Sequence, residues 1–222
     1  MSQMQRVVPD EGFCDRLSDF LGLVFPDDPR RSGPELYWFW NRVSRLGPTS
    51  AWVIEDEGGI RAFARVCDAW WNDLGETAVV LIAVHPDFRR QGFAQRLLKN
   101  CLAIYDDRGR NQVHIMSKVG DIEGQGFLSH HGFEVLGRFN ESAFDTRKAL
   151  PDFALERLAE VQRSGIQIMD GNTLARRGPV DWKSSWWKLE EEARLDMPGP
   201  EPSTPRTFEQ FLEFFEMPGF DL

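Results

Sequence analysis

Residues 81–98 read LIAVHPDFRRQGFAQRLL: the end of an uncharged run, a proline turn, two arginines, a glycine, a small residue and then a helical pattern. Upstream, the run begins at Thr77, and its eight residues to Val84 hold no charge. This predicts a strand buried on both faces. Downstream, Leu97, Leu98, Cys101, Leu102 and Tyr105 fall on one side of a helix. The turn between them has the makings of an anion site. The first N–H groups of a helix lack intrahelical partners, and the helix dipole favours negative charge there. Gly92 and Ala94 keep bulk away, so a diphosphate can approach the main chain, and Arg89 and Arg90 can add charge-assisted hydrogen bonds. The plainer alternative is a turn with solvated arginines and a small residue packing a helix on a sheet. The stretch lacks the Gly-Lys-Ser/Thr of a nucleotide P-loop, and Gly92 stands without the other glycines of a dinucleotide fingerprint.

Outward from this point the chain alternates helical and strand patterns. Phe13, Leu17, Phe20, Leu21 and Val24 mark a first helix over 9–25, and Leu36, Trp40 and Val43 a second. The runs 51–55 and 60–67 flank Asp56-Glu57-Gly58-Gly59 and predict a hairpin. After the central strand and its helix, residues 112–119 alternate again. Residues 122–131 form a short helix closed by Gly132, and 133–144 read as a final long strand. The expected fold is α/β, a mixed sheet flanked by helices.

Composition narrows the classes of function. The chain has 222 residues, 41% hydrophobic and 27% charged, ample for a packed core. Its net charge of -9 argues against a non-specific nucleic-acid binder, which must neutralise phosphates. No apolar run reaches the roughly 18–20 residues needed to cross a bilayer, and residues 1–9 lack a signal-type apolar core. Three cysteines, far apart and odd in number, read as buried thiols of a reducing cytoplasm. No CxxC or HExxH occurs, and His130-His131 are sequence neighbours that diverge on a helix, so no metal site is expected. A cytoplasmic protein without a membrane or nucleic-acid partner is the expectation.

The central stretch resembles the GNAT superfamily of acyl-CoA-dependent N-acetyltransferases. The resemblance rests on the strand, on Val84-x-Pro86, and on Arg89-x-x-Gly92-x-Ala94, which is similar to the family's Arg/Gln-x-x-Gly-x-Gly/Ala signature. Glu123-Gly124-x-x-Phe127-Leu128 and Gly132-Phe133 look like the family's late helix and the opening of its last strand. The resemblance covers about residues 5–148 and implies a GNAT domain over 1–148 with acetyl-CoA as cosubstrate. It implies that Arg89, Arg90, Gln91, Gly92, Phe93, Ala94 and Gln95 form the pyrophosphate loop. It further implies that Ile82, Ala83 and Val84 pair with the pantetheine arm, and that Phe127 lines the far side of the groove. The implied reaction is acetyl transfer to a primary amine of a small molecule or peptide. Many members place an acid Tyr where this chain has Leu128, which puts that role in doubt here. Glu76 is the nearest match to a base carboxylate, Asp73 a weaker one; Glu76 as an ordinary exposed strand-start residue is the alternative, and His85 reads as a turn residue. Trp38, Trp70 and Trp71 either line an acceptor pocket or pack. A CoA-binding assembly module without turnover is the competing function.

Residues 149–222 resemble the beginning of a second GNAT copy behind a linker helix. Gly165–Ile168 would be its first strand, residues 181–196 its first helix and 198–215 its next loop and helix. Such a copy lacks a cofactor loop. Its stripes Trp182/Trp186/Leu189 and Phe208/Phe211/Leu212/Phe215 then need cover, from the first domain or from a second protomer in a homodimer.

Overall fold

Asp10 sets the first helix. Its Oδ1 accepts the Phe13 N–H at 2.7 Å, and helix α1 runs Glu11–Val24 with Phe13, Leu17, Phe20 and Val24 buried. Helix α2, Gly33–Leu46, begins with a reciprocal capping box between Ser32 and Glu35. The expected hairpin follows as β2, Ser50–Asp56, and β3, Gly59–Asp68. Strand β4 is Thr77–Val84, the uncharged run, and helix α3 is Phe93–Asp107. This computed structural model describes residues 3–69, 76–107, 109, 111–140, 145, 147–196 and 204–219. Trp70, Trp71 and Asp73 lie outside them.

Five strands form one mixed sheet in sequence order. Strand β1, Gln3–Val7, was not legible in the pattern, because it is an edge strand with none of its five residues fully buried. It pairs antiparallel with β2, β2 with β3, and β3 with β4; strand β5, Gln112–Ile115, pairs parallel with β4. One face carries Ala51, Val53, Phe63 and Ala83 against Phe13, Leu17, Phe20 and Trp40 of α1 and α2. The other carries Ala62, Ala64, Val66 and Val80 against Leu97 and Cys101 of α3. The alternation of strand side chains builds both cores from the same strands.

Two expectations fail after β5. That strand stops at Ile115, not Val119, and Met116 and Val119 are exposed. Helix α4, Ile122–His130, forms with Asp121 accepting the Gly124 N–H at 3.0 Å. The long strand expected at 133–144 does not: residues 133–140 are irregular, and 141–144 lie outside the described residues. Val135, Leu136 and Phe139 are largely exposed. Alternating apolar residues make no strand without a ladder to pair their main-chain groups.

The chain divides into two compact units, the first chiefly Met1–Phe133 and the second chiefly Glu134–Pro200 and Pro205–Phe215. In the second, the short strand expected at 165–168 is irregular. The helices are α5, Asp152–Arg163; α6, Gly171–Arg177; α7, Trp182–Leu195; and α8, Phe208–Leu212, continued by a 3-10 turn at Glu213–Glu216. The two aromatic stripes cover each other. Trp186 meets Phe211 and Phe215 edge-on at 5.9 and 5.7 Å, and Trp187 meets Phe208 at 5.6 Å. Leu189 stays 65% exposed, outside this cluster. Glu191 joins the helices: its carboxylate accepts from Arg194 at 2.9 Å and from the Arg206 Nε at 2.8 Å. Burial alone would push the Glu191 carboxyl up, but these hydrogen bonds outweigh it and hold it at about 2.

Candidate functional site

Strand β4 is paired on both sides only along its first half. Against β5 the register ends at Val80 and Ile115, whereas against β3 it continues to Val84 opposite Ala62. The Ala69 N–H donates to the Thr77 carbonyl, and the His85 N–H to that of Arg61. These fix the alternation, so the odd-numbered residues of β4 turn their main-chain groups to β3. The even-numbered ones turn them the other way; the Gln112 N–H accordingly reaches the Glu76 carbonyl at 3.1 Å. Ile82 and Val84 therefore direct N–H and C=O groups to a side where no described strand meets them. Ala83 keeps its own for Phe63. The sheet is open at this point, and an extended ligand arm can hydrogen-bond there as a strand does.

The open edge runs straight into the turn. His85 ends β4, its Nδ1 accepting the Asp87 N–H at 3.2 Å, and a single 3-10 turn spans Pro86–Phe88. Arg61 lies over the Phe88 ring at 4.1 Å while its Nη2 donates to Asp56 at 2.6 Å. Arg90 has φ 62° and Gly92 φ 79°, so the main chain turns through the left-handed region twice before α3. The first helical bond of α3 runs from the Arg96 N–H to the Gly92 carbonyl at 3.1 Å. The N–H groups of Phe93, Ala94 and Gln95 precede it, and no described side chain caps them. A Cβ built on Gly92 meets no atom within 4 Å. Gly92 is thus there for its backbone angle and for the space before it, not to admit a neighbouring side chain.

The remaining site residues divide. Arg89 is exposed, and its Nη1 lies 3.7 Å from Glu123 at the start of α4. That exposed contact brings the start of α4 beside the loop, with half-buried Phe127 one turn further along, its ring 4.6 Å from His131. Arg90 and Gln91 are exposed, and their side chains make no hydrogen bond, ion pair or ring contact among the described residues. Leu128 is half-buried and carries no proton. Glu76 does not join the group. It is exposed at the opposite end of β4, six residues before Ile82, a distance of about 20 Å along a strand. A carboxylate cannot exchange a proton directly across that span. No group of three or more His, Cys, Asp or Glu suited to a metal ion occurs among the described residues. No described helix is long and apolar enough to cross a membrane. The open half of β4 and the left-handed Arg90 were not legible in the sequence. The turn and the helix that follow were.

Comparison with known proteins falls on this part of the chain. Residues 47–135 match the acetyltransferase (GNAT) domain model. No curated protein matches the sequence. Among solved structures, Salmonella typhimurium yncA with its cofactor acetyl-CoA aligns at TM-score 0.50 and 14% identity, over 59% of this chain and 79% of its own. An acetyltransferase predicted in Clostridium acetobutylicum, solved with acetyl-CoA, aligns at 0.50 and 16%, over 64% and 96%. A Bacillus halodurans transcriptional regulator aligns at 0.50 and 14%, over 64% and 100%. At these identities the likeness is one of fold.

Proposed function

We propose, from the match of residues 47–135 to the acetyltransferase (GNAT) domain model, that the chain transfers an acetyl group from acetyl-CoA to a primary amine of a small molecule or peptide. One observation supports the reading: a strand edge at Ile82 and Val84, unpaired among the described residues, leads directly into a helix start at Phe93–Gln95 that no described side chain caps. The two features fit the two ends of one molecule. Three free N–H groups, aided by the α3 dipole and by Arg89 and Arg90, suit a pyrophosphate. The open edge suits the amide-bearing pantetheine arm. Bound there, acetyl-CoA would supply an activated acyl group, its thioester carbonyl beside β4.

The chain's own residues would do the rest by positioning. The Ile82 and Val84 main-chain groups would fix the arm, and a main-chain N–H at this edge would stabilise negative charge developing on the carbonyl oxygen. The amine nitrogen forms the new bond to the acyl carbon, the carbon–sulfur bond breaks, and the amine's proton leaves with the thiol or through solvent. Holding two reactants in register can supply much of the rate without a dedicated acid. Leu128 cannot protonate the sulfur, which favours solvent as the proton source. That same leucine is what favours the second reading, a CoA-binding module without turnover.

Calorimetric titration with acetyl-CoA, followed by thiol release over a panel of amines, tests both. Saturable binding with amine-dependent release is expected. Binding without release for any amine would leave the module reading. No binding at millimolar acetyl-CoA would remove both.

A further inference from the structure

The sheet face under α1 and α2 holds a cation with no ion-pair partner among the described residues. Arg65 lies on β3 between Phe63 and Cys67, both buried, and opposite Leu81 of β4. Its guanidinium carbon is 5.2 Å from the ring centre of Phe39 and 5.9 Å from that of Trp40, both on α2. Its Nε is shut off from water and has no hydrogen-bond partner. Arg31, in the connection between α1 and α2, sits over the same Phe39 ring at 5.1 Å. Neither guanidinium makes a hydrogen bond or a close ion pair among the described residues, though the Arg31 charge lies near enough to Glu35 to help lower its carboxyl. Burial lowers the proton affinity of Arg65, and the Arg31 charge adds to the effect.

Two like charges on one ring, one of them half-buried, are unfavourable as they stand. A structural role does not need them, since an apolar side chain on β3 would pack against α2 at less cost. An anion bound at the two guanidinium groups would offset their mutual repulsion, and planar guanidinium forks match carboxylate and phosphate oxygens. The place also bears on the reaction. Arg65 is one strand away from the open edge of β4, about 5 Å in the sheet plane, and one register step from Ile82.

We propose that the acceptor is a small amine carrying a carboxylate or phosphate, and that this anion docks on Arg65 and Arg31 beside Phe39. The inference deepens the acetyl-transfer reading and rests on it for the role of the amine. The amine end then reaches the acyl carbon at the β4 edge while the anion stays on the α2 side.

The test uses matched probes that differ in the anion: phosphoethanolamine against ethanolamine, and alanine against alaninamide. Melting curves are taken with the protein saturated in CoA, so that the α3 helix start is already occupied, and acetyl transfer is followed by thiol release. The anionic member of at least one pair should raise the melting temperature where its neutral partner does not. It should also be transferred with kcat/KM at least about tenfold higher. Phosphate and carboxylate are told apart by which pair responds. Arg65→Met and Arg31→Gln should each abolish the difference while leaving acetyl-CoA affinity within about twofold. Arg31, in an interhelical connection, serves if Arg65→Met does not fold. Equal effects of anionic and neutral amines, or a preference that survives both substitutions, would overturn the proposal. A melting shift that needs the arginines but comes without thiol release would uphold the anion site and overturn the transfer reading.

Discussion

Replacing Gly92 by alanine separates two accounts of the loop. The residue has φ 79°, and an added Cβ would meet no protein atom within 4 Å. The folding cost is therefore the left-handed backbone alone, about 1–2 kcal/mol for a residue with a side chain. In a chain of this size that is a fall in Tm of about 2–8 °C. The added methyl, however, would stand in the space where a diphosphate would meet the N–H groups of Phe93, Ala94 and Gln95. Displacing the anion from even one charged hydrogen bond costs about 1.5–3 kcal/mol, a loss of roughly 10- to 100-fold in affinity. Valine, with the same backbone penalty or slightly more, should lose more affinity still. Thermal melts and calorimetric titration with acetyl-CoA on the same preparations give both numbers. The expected result is a modest melting loss with a disproportionate affinity loss that grows from alanine to valine. An affinity unchanged in both variants would refute the reasoning and leave Gly92 a turn residue only.

Other consequences follow from the same contacts. The Glu191 carboxyl, held at about 2, binds its proton less readily folded than unfolded. Its contribution is full above the ordinary carboxylate value near 4.5 and is lost as pH falls from there toward 2, with a ceiling of about 3 kcal/mol. Tryptophan fluorescence of the α7–α8 cluster should show an acid transition in that window, smaller in Glu191→Gln. All three cysteines are buried, and burial pushes Cys101 up to about 12 and, with Asp10 and Asp15 adding, Cys14 up to about 11. A disulfide reagent at pH 7.5 should therefore react slowly with the folded chain and reach all three thiols only in denaturant; prompt reaction of any one would contradict its burial. Ser32→Ala removes half of the α2 capping box and should cost about 1 kcal/mol by denaturant titration, with acetyl-CoA affinity unchanged.

Local signals and pairing signals fared differently in the sequence. The helices around Asp10 and Ser32, the hairpin at Glu57-Gly58 and strand β4 were legible, because capping, turn chemistry and periodicity act over a few residues. The turn into α3 was legible for the same reason: Arg89, Gly92 and Ala94 stand within six positions. Strand β1 was not, since an edge strand of mainly polar residues owes its form to β2. The converse error came at Val135, Leu136 and Phe139, where strand-like residues have no ladder. The half-open pairing of β4 depends on where β5 ends, which no pattern within β4 records. Arg65 stands in the sequence as a charge between Phe63 and Cys67, but that its Nε has no hydrogen-bond partner among the described residues is a fact of three dimensions. Glu76 illustrates the reverse, a residue of the right type that the fold places at the other end of β4 from Ile82.

Acetyl-CoA binding by this chain would depend on the main-chain N–H groups at the start of α3 and the open edge of β4. Amide chemical shifts, or amide hydrogen exchange, with and without acetyl-CoA read those groups directly. The account predicts saturable changes at Phe93, Ala94 and Gln95, together with Ile82 and Val84, at submillimolar ligand. Saturable changes confined to other parts of the chain, or none at millimolar acetyl-CoA, would contradict it.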